Sequence, residues 1–147
     1  MNGVEILQTM AKDDAVYGRQ FGGLMSIDRL YKHDHRSSPV FYICNTDLWV
    51  NKGIHWILIY FMNGEAEYFD PLGNEPDPLF LTFMKKHSSL ISYNTVRVQS
   101  ANSSSCGEYC IFFASMRSRN VSYNDILSYM GDEKVVIGYV NDIKHLN

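Results

Sequence analysis

Asn63-Gly64 stands between two runs of strand-forming residues, Ile54 to Met62 and Glu65 to Asp70, and constrains the fold more tightly than anything else in the chain. A two-residue hairpin turn needs positive φ at both central positions, which Asn and Gly accept at low cost. The short loop also sets the register. Met62 faces Glu65, and the pairing extends outward to Ile57 opposite Asp70 and His55 opposite Leu72. Side chains alternate across a strand, so His55, Ile57 and Asp70 fall on one face and Trp56 on the other. Asp70 is then a diagonal neighbour of His55, within reach for a carboxylate and an imidazole.

Around this hairpin the chain reads as an alternation of helices and strands. Val4 to Lys12 has the spacing of a short amphipathic helix, with Val4, Leu7, Met10 and Ala11 on one side. Tyr17 to Gly23 is aromatic and glycine-rich and reads as a loop, after which Ser26 caps a helical turn carrying Ile27 and Leu30. Tyr31 to Pro39 reads as a polar surface loop and Val40 to Cys44 as a strand. Asp77-Pro78 supplies an N-cap and a first-turn proline for a helix bearing Leu79, Phe80, Phe83 and Met84. Thr95 to Gln99 reads as a short strand. Cys106 to Met116 is nearly all apolar, the mark of a buried helix, and helices follow at Tyr123 to Met130 and Glu133 to His145. The expected fold class is α+β in a single domain over residues 1–147, a central mixed β-sheet packed on that buried helix.

Composition narrows the function classes. Hydrophobic residues at 46% supply enough apolar material for a core, and no repeat or low-complexity tract divides the chain. The longest apolar run is too short to span a bilayer, and the N-terminus lacks a basic region followed by an apolar one. Thirteen Lys and Arg against sixteen Asp and Glu give a net charge of −3, which argues against bulk nucleic-acid binding. Three cysteines, Cys44, Cys106 and Cys110, are too few for a disulfide framework. The expectation is a soluble intracellular protein, not secreted and with no membrane partner.

Cys106 follows three serines and precedes Gly107. At a helix start, free N–H groups and the positive end of the dipole favour a thiolate, and Gly107 leaves room for a substrate backbone to approach. By position alone, a structural core cysteine is an equal reading. His55 and Asp70 add a base and an orienting acid, although a strand-end histidine and a turn-capping aspartate have the same sequence signature. Gln99, shortly before Cys106, offers an amide to a developing oxyanion, or is merely solvated. Cys106, Cys110 and His55 are one ligand short of a tetrahedral zinc site, so no metal is expected. His33-Asp34-His35-Arg36 reads as a solvated loop. Lys85-Lys86-His87 with Arg117 and Arg119 makes at most a small basic patch.

Taken together, Gly53-Ile54-His55-Trp56, Phe69-Asp70-Pro71-Leu72-Gly73 and the run from Gln99 to Cys110 resemble the adenovirus-type cysteine proteases (adenain), relatives of the Ulp1/SUMO proteases. The order His, acid, Gln, Cys matches, as does the Asn-Ser-small-small-Cys-Gly-x-x-Cys signature. Asn45-Thr46 resembles the lead-in to the histidine, and the resemblance extends over roughly Tyr17 to Ala114. It implies a papain-like/Ulp1-type arrangement. In it Cys106 is the nucleophile, His55 the general base, Asp70 the orienting acid and Gln99 the oxyanion-hole side chain, with Asn45, Trp56 and Gly107 on the substrate side. It further implies a monomeric thiol endopeptidase that needs no cofactor for chemistry, cuts next to small residues such as glycine, and matures viral or mobile-element capsid precursors in host cytoplasm, nucleus or virion.

Two departures from adenain bear on regulation. The chain is shorter at its C-terminal end, and no cysteine lies between Asp70 and Gln99, where adenain tethers its activating peptide. Any peptide activator is therefore expected to bind noncovalently, and the net charge disfavours DNA as a cofactor. Three rivals remain: an isopeptidase acting on ubiquitin-like modifiers, an effector-type acetyltransferase sharing the same residue order, and a binding module with a decayed site.

Overall fold

The computed structural model describes residues 1–16, 20–31, 39–46, 55–100 and 103–146. Helix α1 (Gly3–Met10) leads into strand β1 (Phe21–Ser26), helix α2 (Ile27–Tyr31) and strand β2 (Val40–Asn45). The hairpin β3 (Trp56–Met62) and β4 (Glu65–Phe69) follows, then α3 (Pro78–His87) and β5 (Leu90–Tyr93). Three helices close the chain: α4 (Cys106–Ser118), α5 (Tyr123–Tyr129) and α6 (Glu133–Lys144).

The five strands form one sheet in sequence order, with parallel pairs at the two edges and antiparallel pairs between them. In the hairpin Met62 pairs with Glu65 and Leu58 with Phe69, the register the turn demands. Asn63 and Gly64 both have positive φ, at 52° and 77°. Strands β2 and β3 are buried along nearly their whole length because helices cover both faces. On one face Phe41, Ile43, Leu58, Tyr60 and Phe69 meet α1, α4, α5 and α6. On the other, Tyr42, Cys44, Ile57, Ile59 and Phe61 meet α2 and α3.

Helix α4 sits in the middle of the first face, buried from Cys106 to Ser115 except at the half-buried Glu108. Phe113 stacks on Phe69 of the sheet with ring centroids 4.9 Å apart, and Phe112 packs edge-on against Tyr139 of α6. Burying one such ring contributes roughly 1.5–3 kcal/mol.

Two expectations about secondary structure are corrected. Phe21 to Gly23 is strand rather than loop: a Cβ at Gly22 would lie 2.6 Å from the Tyr42 ring, so that glycine answers to packing. Thr95 to Gln99 is not a strand. The N–H groups of Val98 and Gln99 both donate to the Pro71 carbonyl, at 2.9 and 3.0 Å, and the strand pairing with β4 occurs earlier, at Leu90–Tyr93. The expected loop at Tyr31 to Pro39, including His33 to Arg36, lies almost wholly outside the described residues, as does Tyr17.

Candidate active site

Three chain segments meet where α4 begins. His55 immediately precedes β3, and its carbonyl accepts from the Thr46 N–H at 3.1 Å, extending the β2–β3 ladder to its last rung. Asp70 immediately follows β4 and is buried. Its backbone is gripped by Asn94: the Asp70 N–H donates to Asn94 Oδ1 at 2.9 Å, and Asn94 Nδ2 donates to the Asp70 carbonyl at 2.6 Å. Gly73 closes the turn at φ +74°, where a Cβ would come within 2.8 Å of the Arg97 amide nitrogen. The hairpin ends therefore present both groups from fixed backbone.

The side chains meet as the register requires. His55 Nε2 lies 2.6 Å from Asp70 Oδ1, which also accepts the Leu72 N–H at 2.8 Å. His55 is in turn hydrogen-bonded to Cys106, leaving Nδ1 as the ring nitrogen for the sulfur. Cys106 Sγ also accepts the Trp56 backbone N–H at 3.4 Å. Ser105, at the N-cap position of α4, makes no side-chain cap, so the first-turn N–H groups are not taken by a serine hydroxyl.

These contacts decide the proton's location. Burial pushes the Cys106 thiol up, but the His55 hydrogen bond, the N–H groups of Trp56 and Gly107, and the imidazolium charge outweigh it, and the pKa falls below the ordinary thiol value. Burial pushes His55 down, yet the hydrogen bonds to Asp70 and Cys106 and both negative charges carry it up to about 9. Both shifts favour the thiolate–imidazolium form of the pair. The two other thiols are fully buried and driven upward by desolvation, Cys110 one turn inside α4 and Cys44 on the opposite sheet face.

The remaining sequence candidates are distributed as follows. Gln99 is buried, and its Nε2 donates to the Ser103 carbonyl at 2.7 Å, while its Oε1 has no partner among the described residues. Trp56 contributes its backbone N–H to the sulfur, and its indole packs in the core and donates to the Met1 carbonyl at 3.2 Å. Asn45 ends β2 opposite Trp56. Gly107 is corrected: Met1 Cβ and Ile6 Cδ1 lie 3.1 and 3.3 Å from where its Cβ would stand, so the absent side chain admits α1 rather than a substrate. Arg117 and Arg119 are no basic patch, because Glu67 and Asp13 each hold one of them through two hydrogen bonds. Among the described residues, no cluster of three His, Cys, Asp or Glu is arranged to hold a metal ion, and no helix is long and apolar enough to cross a membrane.

Sequence reasoning missed Asn94, Ser103 and Glu133. A lone asparagine between Tyr93 and Thr95 carries no local pattern, and its role appears only once β5 lies beside β4.

The fold is that of the Ulp1-like cysteine proteases. The SUMO protease Ulp1, with its catalytic cysteine oxidised to a sulfonic acid, superposes with a TM-score of 0.56 at 15% identity, covering 95% of this chain and 79% of that one. The pS273R protease of African swine fever virus superposes with a TM-score of 0.73 at 18% identity, covering 100% of this chain and 68% of that one. In sequence, the SUMO-1 cysteine protease S273R from a Kenyan pig isolate of the same virus is 30% identical over 99 residues, 58% of this chain and 36% of the relative. The chain is similar in sequence to these viral cysteine proteases, and its fold agrees with the Ulp1-type arrangement that the motif resemblance implied. The matched segment spans about a third of the curated relatives' length. No protein-family model matches the chain.

Proposed function

We propose that this chain is a thiol endopeptidase that cuts viral or mobile-element precursor proteins beside small residues, with Cys106 as nucleophile. The observation that carries the reading is the unbroken series Asp70, His55, Cys106 at the start of a buried helix, with the thiol lowered and the imidazole raised.

In this mechanism the Cys106 thiolate adds to the scissile carbonyl carbon and the carbonyl π pair moves to oxygen. The Cys106 backbone N–H and the second N–H of Gln99 receive that oxyanion. On collapse, the His55 imidazolium protonates the departing amine, leaving a thioester on Cys106. His55, now neutral, takes a proton from water; the hydroxide displaces sulfur, and the acid product leaves as the thiolate–imidazolium pair is restored. Asp70 fixes the ring orientation and stabilises its charged form. Small residues at the cut are favoured because Cys106 is only 7% exposed, and a bare backbone reaches it most easily. Activation needs no disulfide, since Cys44 and Cys110 are fully buried.

A second reading, deconjugation of ubiquitin-like modifiers, draws support from the Ulp1 likeness and from the SUMO-1 protease name of the viral relative. Incubation with capsid-type precursors and with ubiquitin-like fusions bearing glycine tails, followed by sequencing of new termini, separates the two. Cleavage of precursors at small-residue sites, with fusions intact, supports the first. Release of the modifier alone supports the second. Cleavage that persists in Cys106→Ala refutes both.

A further inference from the structure

Among the described residues, the Gln99 side chain makes one hydrogen bond. Its Nε2 donates to the Ser103 carbonyl at 2.7 Å, and its buried Oε1 has no partner among the described residues. Among the described residues, no other contact decides which end of this amide is oxygen and which is nitrogen. A flipped amide would bring Oε1 against the Ser103 carbonyl and aim an acceptor where the oxyanion mechanism needs a donor. The placement of that carbonyl thus controls whether Gln99 can serve.

Ser103 is itself tethered from a distant part of the chain. Its N–H donates to the Ser100 carbonyl at 3.0 Å, and its Oγ accepts the Ser105 N–H at 3.1 Å while donating to Glu133 Oε1. Glu133 opens α6, but Asp132 is the cap there, its Oδ1 accepting the Lys134 N–H. The Glu133 carboxylate is not needed to start its own helix. It sits instead beside the loop that runs from Gln99 into Cys106, and its bond to Ser103 is charge-assisted, the stronger class of hydrogen bond. The other approach to Gln99 is fixed by Tyr109 of α4, whose hydroxyl donates to the Val98 carbonyl at 3.2 Å.

We infer that Glu133 is a positioning residue for the oxyanion site, acting through Ser103 to hold the Gln99 amide with its N–H₂ group toward the reacting carbonyl. The inference rests on the oxyanion role given to Gln99 under the proposed function. It makes α6, remote in sequence from every catalytic candidate, part of the catalytic apparatus.

The test uses the full-length chain and two probes of one thiol. Iodoacetamide needs only the Cys106 thiolate. The peptide aldehyde acetyl-Gly-Gly-glycinal adds that thiolate to its carbonyl carbon, the oxygen taking a proton from His55, and so samples the oxyanion site as well. Protection of Cys106 against iodoacetamide measures its affinity. Glu133→Ala and Ser103→Ala should each leave the alkylation rate within about twofold and weaken the aldehyde roughly tenfold, the scale of one charge-assisted hydrogen bond. Glu133→Gln, which keeps an acceptor for Ser103, should restore most of the affinity. In a Gln99→Ala background Glu133→Ala should cost nothing more. An additive loss there, or equal losses in alkylation and aldehyde affinity, would overturn the inference and mark Glu133 as merely structural. If Gln99→Ala itself leaves aldehyde affinity intact, the oxyanion role fails first and the inference falls with it.

Discussion

The two ends of α4 each carry a polar cluster built on a buried carboxylate, and they differ in what their protons can do. At the C-terminal end Asp13 accepts both Arg119 nitrogens, at 2.9 and 3.0 Å, and the Ser115 hydroxyl at 2.5 Å, with Tyr139 completing the group. Burial pushes the Asp13 carboxyl up, but the Arg119 and Ser115 bonds outweigh it and leave it below its ordinary value, while Arg119 is raised. The two pKa values move apart, so no proton passes between them. At the N-terminal end the thiol falls and the imidazole rises from ordinary values only a few units apart, so the two shifts favour moving the proton from sulfur to the ring. Saturated bonds make a staple; closely matched affinities make a reactive pair.

Substitutions can break that contrast, beginning with the largest effects. Cys106→Ala should reduce peptide cleavage to background while thermal unfolding stays within a few degrees, because only a sulfur is removed. His55→Ala should remove most of the activity, and Asp70→Asn less, since the ring would lose orientation and charge stabilisation but remain present. Steady-state kinetics on a glycine-containing peptide checks all three. Gln99→Ala should lower kcat by about 10²-fold with KM little changed, the usual effect of one lost oxyanion donor. An effect confined to KM would remove Gln99 from the oxyanion site.

Arg119→Ala tests the opposite end. It leaves the buried Asp13 carboxylate without its cation and should cost about 1–3 kcal/mol in urea unfolding. Turnover per folded molecule should not change. A fall in kcat to match would show the two ends of α4 to be coupled.

The smallest effects are in pH dependence, where the ends should part in opposite directions. His55 has a folded pKa above its unfolded one, so its contribution to stability is complete below about pH 6.5 and is lost as pH rises through about 9. Asp13 has a lowered pKa, so its contribution is present above the ordinary value of 3.8 and is lost as pH falls below it. The stability gap between the native chain and His55→Ala should therefore close on the alkaline side, and the gap to Asp13→Asn on the acid side.

The candidate site where His55, Asp70 and Cys106 meet was legible because local rules determine it. Asn63-Gly64 dictates the β3–β4 register, the register brings Asp70 to His55, and the apolar run from Cys106 marks where α4 starts. Residues whose roles depend on distant neighbours were not legible. Gly107 reads as an opening for substrate until α1 is found packed on it. Arg117 and Arg119 read as a free basic pair until Glu67 and Asp13 arrive from β4 and the turn after α1. Thr95 to Gln99 has strand composition, but Asn94 Nδ2 already claims the Val96 carbonyl, and the Pro71 carbonyl the Val98 and Gln99 N–H groups.

Site-resolved alkylation tests the central claim most directly: mass spectrometry of iodoacetamide adducts on Cys44, Cys106 and Cys110 across pH, in the native chain and in His55→Ala. A thiolate held by His55 requires Cys106 to react far ahead of the other two at neutral pH, and to lose that lead when His55 is removed. Labelling of Cys44 first, or a Cys106 rate indifferent to His55→Ala, would contradict the account.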